Sequence, residues 1–433
     1  MSWKGWRRRS VAPCLQGANS MQCTDVAIIG AGQAGLAMSR CLSERGVCHV
    51  VLERGRIAER WRSERWDSLR LLTPNWMTRL PGGGYRGADP DGFMTMAETV
   101  GFLENYACSI TAPVVDGVEV LSTERIDGGF RLLTDRGQWS VRAVVVATGY
   151  SDRPRIPPIA KQISSRVRQI VPRDYRNPRQ LAQGGVLVAG ASATGIQLAE
   201  EIHRSGRPVT LSVGSHTRLP RLYHGHDILW WLDRLGMLAK PVAEVSDLAA
   251  ARRQPSLQLI GTPERRSLDL AGLREQGVRL VGRAVAAYDT RIRFNGDLAD
   301  TTMAAERTLR RVLANIDRAA AGEGRYSIGP GSIPSLILSA EPTEIDLIDQ
   351  GIETVIWATG YRREYPWLKL DVFDGRGEIQ NDGGVCAYPG LYVLGLNFMR
   401  HRSSSFLDGV GRDAEALAAH VAMFLNASRR AAA

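Results

Sequence analysis

Lysine is almost missing from this chain of 433 residues. Only Lys4, Lys161, Lys240 and Lys369 occur, so 51 of the 55 basic residues are arginine. The formal net charge of +10 is spread along the chain instead of forming a clustered basic stripe, which argues against a nucleic-acid-binding surface. Cysteine is sparse: Cys14, Cys23, Cys41, Cys48, Cys108 and Cys386 form no C-x-x-C pair. That spacing excludes a vicinal redox disulfide, supplies no zinc ligand set, and reads as reduced thiols of a cytoplasmic protein. No run of eighteen apolar residues occurs, so no transmembrane helix is expected. The remaining composition, 44% hydrophobic and 23% charged, is that of an ordinary globular chain long enough for two or three domains.

The first residues stand apart from the rest. Trp3, Trp6 and Arg7 to Arg9 precede Val11 to Leu15, an apolar run too short and broken for a signal-peptide core. Residues 1–21 are expected to be a disordered extension, and Met21 suits a translation start.

Two glycine-rich turns dominate what is present, each preceded by a short apolar run and followed by helix-forming residues. In the first, Gly30 permits the bend out of a strand, Gly32 lets the backbone approach a diphosphate, and Gly35 lets the helix pack on the strand. The helix opening at Gln33 and Ala34 turns unpaired N–H groups and the positive end of its dipole toward an anion. The next apolar run, Cys48 to Leu52, ends in Glu53, where a carboxylate accepts hydrogen bonds from a ribose diol.

The second turn has Gly190, Ser192 and Gly195, with Ala193 and Thr194 opening the helix. Its following strand, Pro208 to Val213, contains Ser212 and does not end in an acid; Gly214 to Arg218 come next, with Arg221 close behind. Hydroxyls and a guanidinium suit a 2′-phosphate that an acid would repel. This site is therefore expected to take NADPH. Two dinucleotides on one chain point to electrons passing between them.

A second repeat lies beneath the first. Val144 to Tyr150 and Val355 to Tyr361 each form an apolar strand closed by Ala-Thr-Gly-Tyr, a small turn that lets the backbone cross close under a nucleotide. Ser151 to Pro158, with three prolines, reads as a hinge. Strand-like runs at 114–121 and 130–133 suggest a small antiparallel insertion, and helical patterns cover 98–107, 297–321 and 413–425. The last helix either points its N-terminus at a flavin carbonyl or is a plain amphipathic helix. No general acid or base is assigned; His401, Arg402, Tyr223, His224, His226 and Asp227 are candidates to line a substrate side.

Taken together, both turns, the Trp61 to Trp66 stretch, both Ala-Thr-Gly-Tyr strings and Gly409 to Asp413 resemble flavin-containing monooxygenases. Within them the chain is similar to the bacterial NAD(P)/FAD flavoproteins of the CzcO-like group, from Asp25 to about Leu425. The resemblance implies an α/β fold of two Rossmann-type domains, with a discontinuous FAD domain (22–160 and 350–433) around an inserted NADP domain (161–349). It implies FAD at Gly30, Gly32, Gln33, Ala34, Gly35, Glu53, Arg54 and Trp61, and NADPH at Gly190, Ser192, Ala193, Thr194, Gly195 and Ser212, with Arg218 near its phosphate. Thr148, Gly149, Thr359, Gly360 and Asp408 would also lie against cofactor.

By that resemblance NADPH would reduce FAD, and the reduced flavin would meet O2 as a C4a-(hydro)peroxide and oxygenate a small organic substrate. No nucleic acid or integral membrane segment is expected, and oligomerisation stays open. The family's Phe-x-Gly-x-x-x-His-x-x-x-Trp string is not kept: the corresponding positions are Ser165, Val167, Val171 and Tyr175. An NAD(P)H-dependent flavin reductase without oxygen insertion, or a nucleotide-binding regulatory flavoprotein, therefore remain alternatives.

Overall fold

Both apolar runs ahead of the glycine turns become central strands of parallel sheets, each buried on both faces. The computed structural model describes residues 21–322 and 341–431, together with 333, 336 and 338. The expected disordered extension lies outside these residues except for Met21, which begins the first strand. That strand, Met21–Ile29, lies between His49–Leu52 and Gly137–Val146 and runs parallel to both. Val114–Val115 and Leu391–Val393 extend the sheet in parallel at either side. Val26, Ala27, Ile28, Val144 and Val145 are fully buried, as continuous apolar runs in a doubly covered parallel sheet should be.

The expected antiparallel insertion is present, but its first strand is split. Gly117 adopts positive φ (61°) and breaks the 114–121 run, so that Val120–Ile126 turns away to pair with Gly129–Thr134, which in turn pairs with the first half of Gly137–Val146. The helix Met96–Ser109 starts in a capping box, in which the Thr95 hydroxyl accepts from the Glu98 N–H and the Glu98 carboxylate accepts from the Thr95 N–H. Loss of such a cap costs about 1 kcal/mol. Thr95→Ala is thus expected to lower the urea midpoint of the first domain by a correspondingly small amount, with the fold otherwise kept.

The C-terminal helix Val410–Ala431 packs on Gln33–Ser43, burying Ala414, Leu417, Ala418 and Val421. It therefore has the amphipathic packing face expected at 413–425. Among the described residues no helix is long and apolar enough to cross a membrane.

A second parallel sheet has the order Arg168–Ile170, Ile352–Trp357, Gly185–Ala189, Val209–Ser212 and Arg279–Val281. This corrects the expected boundary at 349/350. Ile352–Trp357 stands beside Gly185–Ala189 just as Gly137–Val146 stands beside Met21–Ile29, and its Val355 and Ile356 are fully buried. Without that strand Arg168–Ile170 would have no partner in the second sheet, so the chain returns to the first domain only near Gly360. The expected helix at 297–321 is Leu298–Gly322; its Leu309, Val312 and Ile316 share a core cluster with Leu229, Trp231 and Met77.

The hinge is hydrogen-bonded. Outgoing Arg153–Pro154 pairs antiparallel with returning Tyr361–Arg362. A second tie runs through Trp66 and Leu69, which leave the first domain and bury themselves in the core of the second, beside Tyr175.

Candidate active site: two dinucleotide turns at one junction

The first turn requires its glycines. Gly30 has φ of 108°, and a Cβ there would stand 2.7 Å from the Ala147 carbonyl oxygen; a Cβ on Gly35 would stand 1.9 Å from the Gly30 oxygen. The strand end that leads into Thr148 and Gly149 thus passes directly under the turn. By contrast, nothing lies within 4 Å of a Cβ built on Gly32, and no side chain caps the helix that starts there. Helix N-terminal amides that no side chain caps thus start beside open space at Gly32, an arrangement that can receive an anion.

Glu53 is fixed at the rim of this turn. Its Oε2 accepts from the Ala31 N–H (2.7 Å) and its Oε1 from the Gly55 N–H (2.9 Å). Each oxygen keeps a lone pair for another donor. Trp61 donates through Nε1 to Gln33 Oε1 at 3.4 Å, and Gly395 brings the end of the last strand against Ala34. Arg54 is exposed next to Glu53. Gly30, Gly32, Gln33, Ala34, Gly35, Glu53, Trp61, Thr148 and Gly149 are therefore gathered at one sheet edge. Asp408 has a different partner: it is buried and accepts a hydrogen bond from Arg79 Nε, which anchors the entry of the C-terminal helix.

The second turn repeats the construction. A Cβ on Gly190 (φ 112°) would stand 2.3 Å from the Ala358 oxygen, and one on Gly195 would stand 1.7 Å from the Gly190 oxygen. The Ala-Thr-Gly-Tyr copies are thus structurally equivalent, and Thr359 and Gly360 belong to the second turn. Ser192 precedes the helix Ala193–Arg204, of which Thr194 is part, without spending its hydroxyl on a cap. Gln258, which no sequence signal marked, is fully buried and donates through Nε2 to the Ala191 oxygen at 2.6 Å. It braces the turn from the short strand Leu257–Gln258.

Two expected contacts are corrected here. The Ser212 hydroxyl donates to the Gly282 oxygen (2.9 Å) and accepts from the Ala284 N–H (3.0 Å), so it ties strand ends together. Arg218 is buried and donates to Asp269 (2.8 Å) and Glu306 (3.3 Å). Two carboxylates already neutralise it, and the pairing of Thr217–Arg218 with Leu257–Gln258 fixes it in place. Arg221, close behind, is fully buried and held by Asp227 at 2.6 Å. Neither guanidinium is available to a phosphate.

The junction itself is tightly tied. The Thr359 hydroxyl donates to the Arg155 oxygen, and the Arg155 N–H donates to the Gly360 oxygen at 2.9 Å. Arg60 reaches across to the Ser151 oxygen and the Asp152 carboxylate. The stretch holding Val171 and Tyr175 forms a latch: the Tyr175 hydroxyl donates to Glu201 Oε1 (3.2 Å), the Ser68 hydroxyl to Glu201 Oε2 (2.6 Å), and the Asp67 N–H to the Arg176 oxygen (2.9 Å).

Burial pushes the Glu201 carboxyl above its ordinary value of 4.5, outweighing the two hydroxyl donors. A carboxyl with a raised folded-state pKa favours folding when protonated, and that contribution fades as pH rises through the raised value. Glu201→Gln is therefore expected to gain stability relative to the parent at neutral pH and to lose that advantage as the pH falls below about 4.5. Denaturant midpoints across pH measure this; an advantage that grows on acidification contradicts it.

The candidate substrate-side histidines are engaged in pairs. His224 Nε2 and the Tyr223 hydroxyl both meet Asp317 Oδ1, at 2.7 and 2.8 Å. His226 stacks on Trp230 with ring centroids 4.0 Å apart. His401 is buried 3.0 Å from the buried Asp413.

Comparison with known proteins agrees with this architecture. Residues 27–224 match the family model described as pyridine nucleotide-disulphide oxidoreductase. An uncharacterised CzcO-like oxidoreductase of Geobacillus kaustophilus is 32% identical over 399 residues, covering 91% of this chain and 97% of its own. A probable indole-3-pyruvate monooxygenase, YUCCA1 of Arabidopsis thaliana, is 32% identical over 182 residues, covering 41% of this chain and 44% of its own. Among solved structures, a flavin-containing monooxygenase from Stenotrophomonas maltophilia shares the fold with a TM-score of 0.66 at 20% identity, covering 93% of this chain and 99% of that one.

Proposed function

Because this chain belongs to the CzcO-like oxidoreductase family, we propose that it works as an NADPH-dependent flavoprotein oxygenase of a small organic substrate. The chain is an oxidoreductase, and FAD and NADPH are the cofactors its family implies. The residues present fit both groups: each turn has glycines that admit no Cβ, and each opens a helix whose first amides no side chain caps. The first turn with Glu53 would hold FAD and the second with Ser192 would hold NADPH; when bound, this pair supplies hydride transfer and activation of O2.

The chain's own part is to position and enclose. Glu53, oriented by two backbone amides, would accept hydrogen bonds from ribose hydroxyls. The Ser192 hydroxyl and the uncapped amides after it would hold a diphosphate. The observation that carries the reading is the shared crossing. Both turns rest on a Thr-Gly strand end, and the chain leaving those ends pairs as Arg153–Pro154 with Tyr361–Arg362. The two sites therefore adjoin one junction, as electron transfer between two dinucleotides requires. Cys41 and Cys386 are buried, and burial pushes both thiols up to about 12; such inert thiols suit a reducing cytoplasmic setting and offer no disulfide chemistry.

A second reading, electron transfer without oxygen insertion, draws on Val171. It occupies the position of the monooxygenase histidine, is buried, and has no proton to give. One experiment separates the two. NADPH oxidation, O2 uptake and peroxide release are measured on FAD-loaded protein against small nucleophiles and carbonyl compounds. Oxygenation is expected to depress peroxide below the NADPH consumed and to place an atom from labelled O2 in product. Peroxide equal to NADPH with every compound overturns the oxygenase and favours the reductase.

A further inference from the structure

We propose that Arg283 and Ser215 form the site that reads the adenosine 2′-phosphate of NADPH, a role no motif assigns to Arg283. This rests on the second turn being the nicotinamide-dinucleotide site. In a Rossmann unit the adenosine ribose lies at the end of the strand that follows the glycine turn. Here that strand is Val209–Ser212, and its parallel neighbour Arg279–Val281 ends level with it, Ser212 opposite Val281. The chain leaves these ends as Gly214-Ser215 on one side and Gly282-Arg283 on the other.

The two exits touch. Arg283 donates through Nη2 to Ser215 Oγ at 3.1 Å, and a Cβ on Gly214 would stand 3.1 Å from Arg283 Nε. The guanidinium thus lies over the Gly214 backbone, where a larger residue would displace it. His216 holds that loop through Nδ1, 3.0 Å from the Gly214 oxygen. Ser212, occupying the end where an acid would select a free ribose diol, binds Gly282 and Ala284 instead and so is a positioning residue that keeps the exits together.

Charge supplies the second argument. Arg283 is exposed, and among the described residues it forms no ion pair. Arg218 and Arg221 are both claimed by carboxylates. A guanidinium has five donors, and the Ser215 contact uses one of them. The rest match the oxygens of a phosphate dianion in fork geometry.

The test is calorimetric titration of FAD-loaded protein with NADP+, NAD+, 2′,5′-ADP and 5′-AMP. The parent is expected to prefer the 2′-phosphorylated member of each pair, with a preference that shrinks as salt is added. Arg283→Ala is expected to weaken NADP+ and 2′,5′-ADP by about tenfold to a hundredfold and to leave NAD+ and 5′-AMP within about twofold. Arg283→Lys should restore part of the loss, and Ser215→Ala should cost less than Arg283→Ala. Undiminished NADP+ preference in Arg283→Ala overturns the assignment, as does equal loss of all four ligands. A parent that binds NAD+ and NADP+ alike overturns the 2′-phosphate site alone. A parent that binds neither dinucleotide rejects the second turn as a nicotinamide site, and with it the proposed function.

Discussion

Gly35→Val is expected to yield protein that does not hold flavin. A Cβ at this position would stand 1.9 Å from the Gly30 carbonyl oxygen, a backbone atom that no rotamer change can move. The helix Gln33–Ser43 would have to lift off its strand, and the amides that open toward the diphosphate would lose their aim. Gly195→Val is the matched variant in the second unit, where a Cβ would stand 1.7 Å from the Gly190 oxygen. It is expected to keep flavin and lose dinucleotide binding. Flavin released on denaturation and NADP+ titration of the two variants give the readouts. Gly35→Val with full flavin content, or Gly195→Val with unchanged NADP+ affinity, contradicts the assignment of one cofactor to each turn.

Arg221→Leu is expected to destabilise the second domain by about 3–5 kcal/mol, the cost of leaving a buried charge without its partner. Arg221 is fully buried, donates twice to Asp227 Oδ2 (2.8 and 2.6 Å) and once to the Leu72 oxygen (2.8 Å), and sits 4.3 Å from the centre of the Phe93 ring. Burial pushes the Asp227 carboxyl up and the Arg221 guanidinium down, and each partner opposes the other's shift. The pair is thus held by mutual attraction against desolvation. Arg221→Leu with Asp227→Asn is expected to recover much of the loss, because the uncompensated charge is gone. Denaturant unfolding of both single variants and the double variant forms the cycle; strictly additive losses would contradict a coupled pair.

What could be read from sequence followed from local constraint. Gly30, Gly35, Gly190 and Gly195 are dictated by contacts a few residues away or beneath one crossing strand, and such patterns survive in one dimension. The equivalence of the two Ala-Thr-Gly-Tyr strings was legible too, but its consequence was not. Which sheet Val355 and Ile356 complete depends on pairing with Leu187 and Val188, 168 residues earlier in the chain. Arg218 shows the other limit. Its position after the second strand made it a phosphate candidate, yet its fate rests on Asp269, which caps the helix Leu270–Glu275, and on Glu306 within Leu298–Gly322, neither of which carries a motif. Arg283 was invisible for the same reason: it reaches Gly214 and Ser215 only because Arg279–Val281 lies next to Val209–Ser212. Charge partners brought by sheet order carry no local signature.

The pairing of Arg153–Pro154 with Tyr361–Arg362 has a consequence for how such a chain could have been assembled. Entry and exit of the second domain sit on adjacent hydrogen-bonded residues, the geometry left when one coding segment is spliced into a surface loop of another. The first domain's sheet closes without any strand from between those points. A graft that joins residue 153 to residue 362 would therefore leave its nucleotide turn connected. What such a graft would expose is the plug of Trp66 and Leu69, which among the described residues packs into the core removed. That plug is where the fold of one domain leans on the core of the other.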